Sequence, residues 1–166
     1  MIRTIEDFSS AWNYEHEATL KLFRAMTDAS LAQRVTAEGR SLGELAWHIV
    51  QTLGEMPHHA GVPVEAPAED APVPASASHI AEEFDNAARS VAGAVVATWS
   101  DAQLFDEVAM YGQTWMKRDV LSSLILHQAH HRGQMTVLMR QAGLAVPSIY
   151  GPSREEWAAM GMSAPR

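Results

Sequence analysis

Cysteine is absent from the 166-residue chain. That excludes disulfides, thiolate metal ligands and a cysteine nucleophile, and it fits an intracellular, cytoplasmic protein. Basic charge is scarce as well: twelve Lys and Arg against twenty Asp and Glu leave a formal charge of −8. Nucleic-acid binding needs a clustered basic face, and none is present, so no such partner is expected. No apolar run approaches the roughly 18 residues of a membrane span. The opening MIRTIEDFSS holds two acids and no apolar h-region, so neither a signal peptide nor a membrane partner is expected. Several catalytic motifs are missing too. Glu15 to Ala18 mixes the letters of HExxH without its order, and Gly151-Pro152-Ser153 is not a nucleophile elbow. A carboxylate-bridged di-iron bundle needs two ExxH motifs, whereas Glu55–His58 stands alone and contains Pro57. Any chemistry therefore falls to histidines and carboxylates.

The chain has the size of one domain, expected over residues 1–166, with 47% hydrophobic and 19% charged residues in a globular balance. Four stretches show helical periodicity. The first covers about Thr4 to Asp28, with Phe8, Trp12, Thr19, Leu22, Phe23 and Met26 near one face. The second opens at Ser41, whose spacing to Glu44 is that of a capping box, and its apolar stripe runs from Leu42 to Met56. Pro57 is expected to end it, leaving His58 and His59 exposed. Trp47 lies nearly opposite that stripe, a position suited to contact with another chain. Residues 61–78 form a Pro/Ala-rich connector too long for a tight turn, expected to cross from one end of a bundle to the other. A third helix is expected from Ser78 to Trp99. Residues 104–119 read as an irregular stretch or short hairpin around Tyr111-Gly112. The fourth helix is expected from an N-cap near Asp119 to Ala142, with Gly143 as its C′ residue. A short C-terminal helix after Pro152, capped by Ser153, completes an all-α, four-helix up-and-down bundle.

Three of the eight histidines crowd into the fourth helix, in LILHQAHHRGQM. Each helical residue advances about 100°, so residues four apart stand nearly above one another. With Val120, Leu121, Leu124, Met135, Leu138 and Met139 as the core stripe, His127 and His131 face inward and His130 does not. Two imidazoles so placed can reach one ion, but two ligands make a weak site, and HxxxH alone is more often incidental than metallic. His48, at the edge of the second helix's stripe beside Thr52 and Glu55, is the best third candidate. His16 and His79 read as solvated or capping residues.

The stretches SLGELAWHIV and LILHQAHHRGQMTVLMRQAG resemble those of the DinB/YfiT-like superfamily of metal-dependent enzymes. Its fourth helix reads H-x-x-H-H-R-G-Q and ends in R-x-x-G, supplied here by Arg140 to Gly143. The resemblance implies a four-helix bundle with a divalent metal (zinc, nickel or iron) on His48, His127 and His131. It further implies a homodimer, which would give Trp47 a use, and thiol-dependent transferases and isomerases among the characterised relatives. Relatives often carry an acid one turn after the second-helix histidine, where this chain has Thr52. The expected function is a metal-dependent enzyme acting on a small-molecule substrate. Either a low-molecular-weight thiol serves as cosubstrate in a transfer reaction, or the metal serves hydrolysis. Glu55 is the candidate catalytic acid or base. Thr52, Gln134, Tyr111 and Trp115 are candidates for the pocket or for contacts behind the ligands, and Arg132 is placed near the site, in helix packing or in a surface ion pair. The competing expectation is a non-catalytic, stress-associated binder of metal or a small ligand.

Overall fold

A computed structural model describes residues 2–164 of the protein. Met1, Pro165 and Arg166, the ends of the expected domain, lie outside the described residues. Four helices make up most of the chain: α1 (Ile5–Arg24), α2 (Leu42–His59), α3 (Ala77–Thr98) and α4 (Lys117–Gln141). A two-stranded antiparallel hairpin, β1 (Glu107–Met110) and β2 (Gln113–Met116), links α3 to α4. Its two-residue turn puts both Tyr111 (φ 49°) and Gly112 (φ 75°) in the left-handed region, the backbone of a primed hairpin turn.

The helix ends follow local chemistry. Capping boxes at Thr4/Asp7 and Ser41/Glu44 satisfy the first free amides of α1 and α2. The start of α4 differs from expectation: Met116 occupies the N-cap, and Asp119 sits in the first turn, where its charge suits the helix dipole. Its C-terminus closes as anticipated. Gly143 (φ 76°) donates to the Arg140 carbonyl, and Leu144 donates to that of Met139, a Schellman arrangement. Pro57 does not end α2, which continues to His59. A proline so near the terminus forfeits a single ladder bond, and the last turn is closed by amides of Ala60, Gly61 and Val62 donating to Pro57 and His58 carbonyls. The expected C-terminal helix shrinks to turns and a short 3-10 segment, Ala158–Met160. Its anchors include Arg140–Glu155 and the Glu156 carboxylate, which accepts from the Ser153 amide at 3.0 Å.

Each of α1 and α2 packs against both α3 and α4. Between them lies a core that includes Phe8, Trp12, Leu22, Phe23, Leu42, Ile49, Leu53, Ile80 and Phe84, all fully buried. Burying each such side chain stabilises by about 1.5–3 kcal/mol. The connector after α2 does cross the bundle. The Glu65 amide donates to Ser90 Oγ in the second half of α3, Ala71 lies against Trp47 near the start of α2, and the Ala77 amide donates to Asp28. The chain is thereby returned to the end where α2 began, so α3 runs alongside α2 in the same direction.

That connector also corrects the reading of Trp47. The indole is only 4% exposed, and its Nε1 donates to the Ala71 carbonyl at 2.9 Å. The proline-rich segment folds back over the face of α2 that helical phase leaves uncovered. Gln51 holds it with bonds from Nε2 to the carbonyls of Ala68 and Glu69 at 3.1 and 2.8 Å. Gly54 permits the approach, because a Cβ there would lie 2.8 Å from that of Ala66. His16 is corrected likewise: its Nε2 pairs with Asp85 at 2.6 Å across the α1–α3 contact and is largely shielded from solvent.

Candidate metal centre

Helix α2 presents His48 and helix α4 presents His127 and His131 to one another. Ring centroids lie 5.1 Å apart for His48–His127, 4.7 Å for His48–His131 and 4.4 Å for His127–His131. One ring nitrogen from each lies within 4.8 Å of the others, and this is the cluster with ligand spacing among the described residues. Such a set is within reach of one shared cation, whose bonds to imidazole nitrogen run about 2.0–2.1 Å. The i, i+4 pair needs no adjustment of the backbone, because both rings already project from the same face of α4.

Electrostatics prepares the donors. Burial pushes the His48 imidazole down to about 4, assisted by Arg40 and His131. His127 is pushed down to about 4 by the same desolvation, then by its neighbouring histidines and Arg40. His131 is also lowered by burial, partly opposed by its bond to Gln134. All three are consequently neutral at pH 7, the state that donates a lone pair to a metal. Gln134 fixes the ring of His131. Its Oε1 lies 2.8 Å from His131 Nδ1 while its Nε2 lies 3.2 Å from His130 Nε2. With Nδ1–H of His131 donating to that oxygen, Nε2 is left free, 3.1 Å from His127 Nε2. Orientation of a ligand histidine through its second nitrogen is a recurrent support of metal sites. His127 has no such support, since its Nδ1 is buried without a hydrogen-bond partner. His130 is exposed and touches the set only through Gln134 and the edge of His131.

A cavity of about 700 Å³ opens beside the histidines and takes His48 and His127 into its wall. Thr52, Glu55, Tyr111 and Trp115 all line it. Thr52 spends its hydroxyl on the Ile49 carbonyl at 2.9 Å, so it shapes the wall more than it offers a donor. The Tyr111 hydroxyl donates to both Glu55 carboxylate oxygens at 2.8 Å. Burial and this carboxylate raise the Tyr111 phenol above its ordinary value, so it stays protonated. Gln134 lies outside this cavity and lines a smaller one of about 390 Å³, behind His131, with Arg40.

Sequence reasoning missed Glu69 and Gln51, which also line the main cavity. No local pattern marks Glu69, since the connector reaches the site only through tertiary packing, whereas Gln51 stands one turn after His48 on α2. Arg132, left open between the site, helix packing and a surface ion pair, is settled as packing. It is 1% exposed and paired with Glu15, itself 7% exposed. Its Nη1 donates to Thr19 Oγ1 at 2.8 Å and to the Glu15 carbonyl at 3.1 Å.

A four-helix bundle that gathers three neutral histidines, two of them in the wall of an open cavity, defines a class: helical bundles with a candidate divalent-metal centre. The chain belongs to the DinB family, whose model matches residues 1–166. It is 45% identical to the protein YrdA of Bacillus subtilis strain 168, over all of this chain and 99% of that one. Its fold is similar to the crystal structure of a DinB-like protein from Bacillus cereus ATCC 10987, with a TM-score of 0.87 and 41% identity over 90% of this chain and 100% of that one. The fold alone is shared with the DinB-like protein YjoA of Bacillus subtilis, with a TM-score of 0.68 and 14% identity over 89% of this chain and 99% of that one. No helix among the described residues is long and apolar enough to cross a membrane.

Proposed function

We propose that the protein is a metal-dependent enzyme whose divalent ion is held by His48, His127 and His131. Its reaction is either transfer to or from a small thiol, or hydrolysis. The observation that carries this reading is the open cavity against His48 and His127. A purely structural site closes its shell with protein ligands, whereas a catalytic one keeps a position free for water or substrate. The donor set fits the ion: three imidazoles lowered enough to be neutral, with His131 already oriented by Gln134.

When bound, such an ion supplies Lewis acidity, lowering the pKa of a coordinated water or thiol toward neutrality. The chain's own groups divide the remaining work. The Glu55 carboxylate, held by Tyr111 and 3.2 Å from His59 Nε2, is a fixed proton acceptor on the cavity wall. Tyr111, kept protonated, is a donor and not a base. Met56, Leu126 and Trp115 give the cavity an apolar body against which a substrate can pack. With no cysteine in the chain, any thiol must come from solution.

The test is elemental analysis of tag-free protein, with His48→Ala beside it. One metal per chain in wild type and a large loss in the variant support the reading. Wild type that stays below a tenth of an equivalent after supplementation refutes it. A thiol-transfer assay and a hydrolysis assay on the loaded protein then separate the two reactions.

A further inference from the structure

The charge and the aromatic content of the cavity point the same way. Two carboxylates face it, Glu55 from α2 and Glu69 from the connector, and none of its lining residues is a lysine or an arginine. Glu55 is held in place by the Tyr111 hydroxyl. The Glu69 carboxylate has no hydrogen bond or ion pair to any described residue, although its field reaches the Tyr111 phenol. Beside Glu55 stands an aromatic corner of Tyr111 and Trp115. Tyr111 meets Trp115 at 5.9 Å and 70°, and meets His59 at 5.6 Å and 64°. The ring faces that these contacts leave uncovered are electron-rich, and a cation is attracted to such a face without needing a donor. The nearest arginine felt by the histidines, Arg40, lines the separate cavity behind His131.

Each part has a structural cause that is unrelated to solubility. Tyr111 is placed by the left-handed turn of the hairpin, an unusual conformation for a residue with a side chain. Glu69 is placed by the connector, whose carbonyls at Ala68 and Glu69 are held by Gln51 of α2. The apolar floor is provided by Met56 and Leu126. Carboxylates on low-dielectric walls concentrate cations and repel anions.

We propose that this cavity selects a small organic cation, a substrate carrying a quaternary or substituted ammonium group on a short apolar body. The ammonium group would lie in the Tyr111–Trp115 corner beside Glu55, in the cavity that Glu69 also lines. This deepens the reading of the cavity as the substrate site of a metal enzyme, and it rests on that reading for the word substrate. The cation preference itself follows from the walls.

The test compares three probes of one size and shape: choline, its neutral isostere 3,3-dimethyl-1-butanol, and the anion 3,3-dimethylbutyrate. Each is titrated calorimetrically into the full chain, stripped by chelation and again with one equivalent of zinc. In the stripped protein no ion attracts or repels a charged probe, so the preference measured there reads the walls alone. Choline is expected to bind at least tenfold tighter than the neutral isostere in both forms. Glu69→Gln and Glu55→Gln should each cut that ratio threefold or more and leave the neutral probe unchanged. Equal binding of choline and the alcohol, or tighter binding of the anion to the stripped protein, would overturn the proposal. Glu69 is exposed and pairs with no other described residue, so Glu69→Gln keeps the comparison meaningful even if Glu55→Gln disturbs the hairpin. The two readings fail separately. A choline preference in a protein that never holds metal sinks the metal centre and leaves the cation site, whereas bound metal without the preference does the opposite.

Discussion

Replacing Arg132 with methionine is the sharpest test of how the bundle is held together. Its guanidinium is 1% exposed and touches the Glu15 carboxylate, the Thr19 hydroxyl at 2.8 Å and the Glu15 carbonyl at 3.1 Å. Arg132→Met leaves the Glu15 carboxylate, 7% exposed, with only the Tyr150 hydroxyl at 2.8–3.0 Å. Breaking a buried pair from one side costs about 3–5 kcal/mol, because the surviving charge stays desolvated and unpaired. For a domain this size each kcal/mol moves Tm by roughly 2–4 °C, so a fall on the order of 10 °C is expected. The double variant Glu15→Met/Arg132→Met should recover most of the loss, since two apolar side chains of similar length carry no stranded charge. Urea unfolding of the four proteins at pH 7.5 gives the cycle, with metal content measured on each. Arg132→Met within about 0.5 kcal/mol of wild type, additive with Glu15→Met, would refute the reasoning. An undisturbed fold that has lost its metal would instead place Arg132 at the site.

In metal-free protein, acidification should destabilise the fold through the histidines. His48 and His127 fall from 6.5 to about 4 on folding, so the unfolded chain binds protons first and stability is lost as pH drops from 6.5 toward 4. Discounted for solvent screening, about 1 kcal/mol per histidine should be gone by pH 5. His127→Gln should flatten the Tm–pH profile over that window, and a profile identical to wild type would contradict the shift. Gly54→Ala puts a methyl 2.8 Å from the Ala66 Cβ, so the connector must lift at about 1–3 kcal/mol. Faster proteolysis within residues 61–76 would show it, while unchanged cleavage would count against the close approach. Gln134→Leu frees the His131 ring and should weaken metal affinity about 10- to 100-fold with the fold intact. Unaltered affinity would make the contact incidental.

Legibility in the sequence followed the range of the interaction. Helical phase separated His127 and His131 from His130 because six apolar neighbours on the same helix define its inward face. The exposed His130, tied to Gln134, is where that phase puts it. The caps at Ser41 and Gly143 were equally readable, since each depends on residues within one turn. What escaped has partners far along the chain. Glu15 and Arg132 are 117 residues apart, and nothing near either marks it as buried. Trp47 was misread because its cover comes from a Pro/Ala-rich segment without periodicity. Pro57 was read by the rule for helix interiors, whereas near a C-terminus it forfeits little.

The candidate metal ligands and the walls of the cavity answer to different parts of the chain. The three histidines sit on α2 and α4, whose mutual packing fixes their spacing and whose displacement would open the core. Glu69, Tyr111 and Trp115 come from the connector and the hairpin, which touch that core at fewer places. Replacements in those two segments can therefore change what the cavity admits without moving the histidines, because a surface loop tolerates change that a packed helix does not. The opposite does not hold. A substitution that shifts α2 against α4 moves His48 relative to His127 and also moves Glu55, so ligation and selectivity fall together. Separable loss of charge preference in Glu69→Gln, with metal content unchanged, is the signature this division demands. Joint loss in that variant would mean that the connector holds α2 in register as well as covering it.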